Sequence, residues 1–465
     1  MAKLYQQLAQ QLSALIADGT LEPGARLPSI RELCKERNLS PATATRAYQL
    51  LESRSLIETR TRSGHYVSRK AGPVAAPRSE RSTARSSRVN VSDLVFQILA
   101  ASGQRDVIPL GSAFPSPTLF PWPKLARYLG SSARRMDPWG TVTSLPHGNL
   151  ELRRQIAHRY LRHGCQVSAE DVVITNGALE ALTLSLQILT QPGDAVAIEA
   201  PSFYGCLQAI EALGLHAIEI PTHPGEGVDL AALQQALDRH PIRACWFMTR
   251  LQNPTGATMP EAKVRELVQL LEKRGIPLIE DDVYGELQFT QTTHAAKAFD
   301  RKGLVLHCSS FSKCLAPGYR VGWVAAGQFT ERLRRRKITT SLGTSLPAQE
   351  AIATMLQEGG YDAHLTRLRA ALQAQQTQAL QSLQKHFDNR YRVALPQGGY
   401  FLWLELPLEV DSLALYAQAI DKGISIAPGP MFSPRRQYRN YLRINCGHPW
   451  TAAFDKAIAA LAKLI

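Results

Sequence analysis

"LVLHCSSFSKCLAPGYRVGWVAA", residues 304–326, contains two apolar, β-branched runs separated by a polar turn. The flanking runs read as strands buried on both faces, where no polar alternation is needed. The turn carries Lys313 among Ser310, Ser312, a Pro-Gly step and Arg320. That setting suits a phosphorylated aldehyde, which an amine can join and an arginine can neutralise.

Outward from this stretch the same pattern repeats. DVVIT, AVAIEA, ACWFMT and IPLIED are short apolar runs, and segments such as ALEALTLSLQIL and EAKVRELVQLLEKR between them have helical spacing. That alternation predicts an α/β domain, a largely parallel sheet with helices on both faces, over residues 91–465. From roughly 360 to 465 a long helix and antiparallel-looking strands read as a smaller subdomain.

Composition sets the limits around this domain. At 465 residues the chain exceeds a single core. A hydrophobic content of 45% and a charged content of 20% are ordinary, but a net charge of +14 points to an anionic partner such as nucleic acid. Seven cysteines without a CxxC pair argue against a disulfide scaffold, and twelve histidines without HExxH spacing give no metal site. The N-terminus lacks an apolar leader core, and no apolar run is long enough to span a membrane. A cytoplasmic protein is expected.

The first 69 residues follow a different logic. In KLYQQLAQQLSALIADG, Leu4, Leu8, Leu12, Leu15 and Ile16 fall at helical spacing, and Gly19 ends the run. Ser29 and Glu32 form a capping box for a second helix. A third helix begins at Ser40-Pro41, with Ala44, Ala47, Leu50 and Leu51 on its buried side. LIETRTRSGHYVS reads as two strands joined at Ser63-Gly64. Three helices and a hairpin make a winged helix-turn-helix. Ser40, Thr43, Thr45 and Arg46 begin its recognition helix, while Arg31, Arg60, Arg62 and His65 suit phosphate and minor-groove contacts on double-stranded DNA. Residues 70–90 are rich in Ala, Pro, Ser and Arg, a composition that predicts a flexible basic linker.

In the large domain, further motifs supply what a pyridoxal phosphate site requires. TNGALEAL opens a helix after a strand, so the backbone N–H groups of Gly177, Ala178 and Leu179 face a phosphate. EAPSFYG offers Phe203 or Tyr204 for stacking on the ring, and NPTG offers Asn253. EDDVYGEL ends a strand with Asp281 for the ring nitrogen and Tyr284 for the ring hydroxyl.

Two resemblances follow from these residues. Tyr5 to Val67, with LEPGARLPSIREL, S-x-x-T-x-x-x-A-Y-x-x-L-E and RSGHYV, resembles the DNA-binding domain of the GntR family. Many members carry arginine directly after the serine at position 40, and this chain has Pro41. Ile108 to the C-terminus resembles the fold-type I aminotransferases. That resemblance implies Lys313 as the Schiff-base lysine, Asp281 on the pyridine nitrogen, and Asn253 and Tyr284 on the ring oxygen. It also implies Gly177 to Leu179, Ser310, Ser312 and Arg320 at the phosphate, and Arg443 on an effector carboxylate. Phe203 matches the stacking aromatic better than Tyr204. Relatives usually carry a tyrosine at position 143 that reaches the neighbouring subunit's phosphate, and here it is Thr143.

The fusion as a whole resembles the MocR subfamily of transcriptional regulators. It implies a domain-swapped homodimer that binds pyridoxal phosphate and senses it, or an amine, amino acid or vitamin B6 compound. A working aminotransferase with an accessory DNA-binding module is the alternative.

Overall fold

The computed structural model describes residues 4–53, 56–60, 63–68, 76–78, 86–102, 106–289, 293–388 and 390–465. Arg62 and most of the expected linker lie outside the described residues, and of Arg60 only the backbone is described.

The N-terminal unit comprises α1 (Leu4–Ala17), α2 (Ile30–Arg37), α3 (Pro41–Ser53) and a hairpin of β1 (Ile57–Arg60) and β2 (Gly64–Val67). The Ser29 hydroxyl accepts the Glu32 N–H at 3.2 Å, and the Glu32 carboxylate accepts the Ser29 N–H at 2.7 Å, the reciprocal box that the sequence encodes. Leu8, Leu12 and Ile16 of α1 pack on Ala44, Ala47, Tyr48 and Leu51 of α3, and Leu33 and Val67 close the core. Leu50, expected inside, is only half-buried. Positions 44, 47, 48 and 51 form one helical stripe, so Tyr48 takes the inward place and donates its hydroxyl proton to the Pro28 carbonyl at 2.7 Å.

The large unit is built on a mixed, mostly parallel sheet. Its main strands are β3 (Ser86–Arg88), β4 (Val172–Thr175), β5 (Ala195–Ala200), β6 (His216–His223), β7 (Ile242–Phe247), β8 (Leu278–Asp281), β9 (Val305–Ser310) and β10 (Gly322–Ala325), and the short Gly227–Val228 pairs with β6 at its end. The main strands lie in the order β3-β6-β5-β7-β8-β9-β10-β4. The run from β6 to β9 is parallel, β10 is antiparallel to both its neighbours, and β3 pairs antiparallel with β6. The quoted stretch is thus an antiparallel pair, β9 and β10, joined by the Lys313 turn. Its strands are fully buried, as expected for a sheet covered on both faces.

Two boundaries differ from the sequence reading. The linker was expected to reach residue 90, but Ser86–Arg88 form an edge strand on β6 and helix Ser92–Ser102 follows. Edge pairing uses backbone groups alone, so a Ser-Ser-Arg run can join a sheet without apolar side chains. The smaller subdomain contains α4 (Gly360–Phe387), β11 (Phe401–Glu405) and β12 (Tyr441–Asn445), flanked in its sheet by Arg392–Val393 and Ala427–Pro428. It also recruits Ile108–Pro109, which pair with Ile424–Ser425 from far upstream.

Leu51 is fully buried at the centre of the small helical core. Leu51→Ala should cost about 3 kcal/mol, which is on the order of a hundredfold in the opening equilibrium. Amide hydrogen exchange in the intact protein should accelerate by that factor in α3 and remain unchanged in β5 to β9.

Candidate functional site

Ligands of open α/β sheets sit beyond the carboxyl ends of the strands. Here β8 ends at Asp281, β9 at Ser310 and β4 at Thr175, just before helix Ala178–Leu189. A cavity of about 280 Å³ opens at these ends. Ala178, Leu179, Phe203, Tyr204, Asn253, Asp281, Tyr284, Ser310, Ser312, Lys313 and Arg320 line it together. Residues up to 142 positions apart, from Ala178 to Arg320, are gathered at one place by the strand order.

One end of the cavity is built for an anion. Gly177 precedes helix Ala178–Leu189 with φ +87°, and no side chain caps that helix. Its first N–H groups therefore remain open, at the positive end of the helix dipole. A Cβ on Gly177 would lie 2.4 Å from Arg320 Nη2, so only glycine lets the guanidinium cover the helix start. Gly322 packs behind, where a Cβ would lie 2.6 Å from the Gly177 carbonyl carbon. Arg320 is held by its Nη1–H to Ser312 Oγ at 3.2 Å and its Nη2–H to the Asn176 carbonyl at 3.3 Å.

The other end holds ionisable groups away from water. Lys313 Nζ donates to the Ala113 carbonyl at 2.9 Å and lies 3.6 Å from the Phe114 ring centroid. Burial, reinforced by the Arg443 and Arg320 guanidiniums, brings its pKa down to about 7. Burial pushes the Asp281 carboxyl up to about 7, and its Oδ1 has no hydrogen-bond partner among the described residues. Asn253 Nδ2 is likewise buried without a partner. A planar ligand with a ring N–H on one side and an acceptor oxygen near Asn253 would satisfy both atoms. Tyr284 closes the same wall, packed edge-on against Tyr400 and Phe401.

Arg443 stands just outside the lining. Its Nη1–H bonds Asn253 Oδ1 at 3.0 Å, its Nη2–H bonds the Gly111 and Ser112 carbonyls, and Nε has no partner among the described residues. Phe401 and Phe432 flank the guanidinium, at 4.2 and 5.3 Å from ring centroid to Cζ. Thr143 is exposed on the short helix Gly140–Thr143, its hydroxyl bonded to the Trp139 carbonyl at 3.1 Å.

Sequence reasoning missed several participants. Leu99, Phe114, Gln208 and Met248 also line the cavity, and none sits in a recognisable motif. Behind Asp281, the neighbouring Asp282 turns the other way. It accepts Arg250 Nε–H at 2.9 Å and pairs with His307 Nε2 at 2.9 Å. His307 Nδ1 shares a 2.6 Å hydrogen bond with the Tyr160 hydroxyl, which also accepts Trp323 Nε1–H. Against the burial that raises it, Arg250 and His307 keep the Asp282 carboxyl below the usual carboxylate range. The adjacent acids in EDD, alternating faces as strand residues do, were the available signal.

On the N-terminal unit, Thr45, Arg46 and Arg31 are exposed. Arg46 lies 5.9 Å from the Tyr5 ring centroid. Ser40 and Thr43 hold each other through a 2.8 Å contact between hydroxyls, and Ser40 Oγ accepts the Thr43 N–H at 3.2 Å. His65 bonds Thr59 across the wing at 3.0 Å and packs edge-on against Tyr48. Among the described residues no helix could cross a membrane, and no His, Cys, Asp and Glu group could hold a metal ion.

Residues 4–67 match the gntR family of bacterial regulatory proteins, and residues 138–461 match aminotransferase class I and II. The chain is 44% identical to the uncharacterized HTH-type transcriptional regulator YdcR of Escherichia coli, over all of this chain and 99% of that one. It is 35% identical to YjiR, a second HTH-type transcriptional regulator of that bacterium, over 99% of this chain and 98% of that one. Among solved structures, it resembles Pyrococcus horikoshii kynurenine aminotransferase with a TM-score of 0.74 and 28% identity, covering 80% of this chain and 93% of that one. LysN of Thermus thermophilus, an α-aminoadipate aminotransferase solved with N-(5'-phosphopyridoxyl)-L-leucine, gives a TM-score of 0.74 at 27% identity, covering 81% and 95%. Pyridoxal phosphate binding is a property of the aminotransferase family. The chain belongs to the GntR-family transcription regulators of MocR type, in which a winged helix-turn-helix is joined to a fold-type I aminotransferase domain.

Proposed function

We propose that this regulator binds pyridoxal 5'-phosphate at Lys313 and that occupancy of this site controls its binding to operator DNA. The observation that carries the reading is the pair of unpartnered buried atoms, Asp281 Oδ1 and Asn253 Nδ2, facing a cavity that Lys313 also lines. When bound, the cofactor supplies an aldehyde that an amine can join. Lys313 offers a neutral amine near pH 7, and Asp281 offers a carboxylate for the pyridine N–H. Asn253 and Tyr284 would hold the ring oxygen, and Phe203, with Tyr204 beside it, would cover the ring. The open helix start at Gly177–Leu179, with Ser310, Ser312 and Arg320, would hold the phosphate. Arg443 would exchange the Gly111 and Ser112 carbonyls for the carboxylate of an amino-acid effector, drawing the small subdomain inward.

Thr45, Arg46 and Arg31 meet DNA from the recognition helix and its neighbour, and Arg60, Arg62 and His65 from the wing. The basic linker connects the two functions in the cytoplasm. Phe114 and Leu179 at the cavity, and Trp139 and Val142 elsewhere, are exposed apolar side chains, which supports a homodimer. The complete ionisable set also supports a second reading, a working aminotransferase; sustained keto-acid production from an amino acid would favour it.

The direct test is a gel-shift titration, at fixed salt, on the DNA upstream of the protein's own gene. A discrete complex whose affinity changes with pyridoxal phosphate supports the reading, and no specific complex overturns it. Lys313→Ala should lose both the cofactor's absorbance and that response.

Two further outcomes follow from the site. Gly177→Ala should weaken cofactor binding at least tenfold, since its Cβ would displace Arg320; Asp281→Asn should weaken it by roughly ten- to a hundredfold through loss of a charged hydrogen bond. Absorbance titration measures both. Lys313 is depressed and Asp281 raised, each to about 7, so both reach the required deprotonated form as pH rises through about 7. Stopped-flow capture should therefore accelerate through that pH and level off above it, whereas an unperturbed lysine would level off only near its ordinary value of about 10.

A further inference from the structure

The expected linker is not free along its whole length. Arg78 lines a groove of the small subdomain edged by Arg390, Arg392, Glu405 and Leu408, and Pro77 before it is buried. The Arg78 N–H donates to Glu405 Oε2 at 2.7 Å, and Arg78 Nε stands 3.8 Å from Oε1. The Arg78 carbonyl accepts the Tyr441 hydroxyl proton at 3.3 Å. Both backbone polar groups of one linker residue are thus engaged by side chains of the subdomain.

The acceptor is the informative part. Glu405 is 6% exposed on β11, and among the described residues its carboxylate bonds no donor except Arg78. A buried carboxylate without a donor is strongly disfavoured, so the seated Arg78 N–H stabilises Glu405 where it stands. Glu405 and Tyr441 are cross-strand partners, as are Trp403 and Arg443 two pairs further along. Side chains two residues apart share a strand face and lie about 7 Å from each other. The groove that holds the linker and the arginine expected to meet a ligand therefore belong to one rigid strand pair.

We propose that Glu405 and Tyr441 form a docking site for the linker at Arg78, and that it couples the position of the small subdomain to the reach of the winged helix. The second part rests on the reading that occupancy of the Lys313 cavity controls DNA binding. With Arg78 docked, the ten residue steps from Ser68 to Arg78 reach at most about 35 Å. With it released, the eighteen steps from Ser68 to Ser86 reach at most about 65 Å. A displacement of β12 that breaks the dock nearly doubles the tether and changes the spacing of half-sites that two winged helices can span.

Limited trypsin digestion of the full-length protein, followed by mass spectrometry, tests the dock without reference to DNA. Cleavage after Arg78 should be slow relative to cleavage after Arg81, and Glu405→Ala should raise that ratio at least tenfold. Equal rates in the wild-type protein overturn the dock. Arg78→Pro removes the donated N–H from a residue outside the folded core, so it tests coupling without endangering the domain. In the gel shift with and without pyridoxal phosphate, this variant should bind DNA but lose at least three-quarters of the cofactor's effect; a full effect overturns the coupling. If wild-type protein gives no cofactor effect, the regulator reading has failed instead, and the trypsin ratio still decides the dock.

Discussion

Asp281 and Arg443 are buried and Lys313 is half-buried in one region, yet no pair among them forms an ion pair. Burying charge without a partner is expensive, and proteins ordinarily pair or neutralise such groups. Here the surroundings do it in part. Lys313 and Asp281 are both moved towards neutrality near pH 7, and the Arg443 guanidinium is sandwiched by rings and tied to backbone carbonyls. Asp281 Oδ1, Asn253 Nδ2 and Arg443 Nε remain unsatisfied among the described residues, and Asp281 and Asn253 line the cavity. A fold that holds unmet polar groups so deeply has a ligand as its natural complement.

The rest of the large unit maintains that arrangement. The parallel strands β7, β8 and β9 bring Asn253, Asp281 and Ser310 to the same edge, and the antiparallel return through β10 places Arg320 over the helix start. Two glycines make the approach possible, Gly177 because its neighbour is a guanidinium and Gly322 because its neighbour is the helix backbone. The Asp282–His307–Tyr160–Trp323 network fixes β8 from behind, so the Asp281 carboxylate has a rigid support. Arg159 ties that support to the subdomain through Glu286 and Asp362, the latter on α4.

Much of this was legible in the sequence, for a specific reason. Most of the cavity-lining residues picked out in the sequence sit within a few positions of a strand end, where glycine, proline and small polar residues leave a local signature. The helices Ala178–Leu189 and Glu261–Arg274 were readable to the residue from their apolar spacing. The parts that escaped depend on long-range partners. β6 contains a buried glutamate and a proline, which ordinarily demote a strand, and Glu219 is tolerated only because Ser433 and Arg435 reach it from over two hundred residues away. β3 carries no apolar pattern because its pairing is purely backbone. Arg443 stood out in the sequence, but its contacts with Asn253 and the Gly111 and Ser112 carbonyls did not, and nothing local marks Glu405 as an acceptor for the linker.

The two halves of the chain form one device only if the cofactor cavity and the DNA-reading face are energetically coupled, and such coupling is reciprocal. The most direct measurement is an absorbance titration of the full-length protein with pyridoxal phosphate, alone and saturated with its upstream DNA at the same salt. The account requires the cofactor's affinity to change by the factor by which the cofactor changes DNA affinity. An identical cofactor affinity in the two titrations would contradict it, leaving a DNA-binding module and an aminotransferase-like domain that share a chain without communicating.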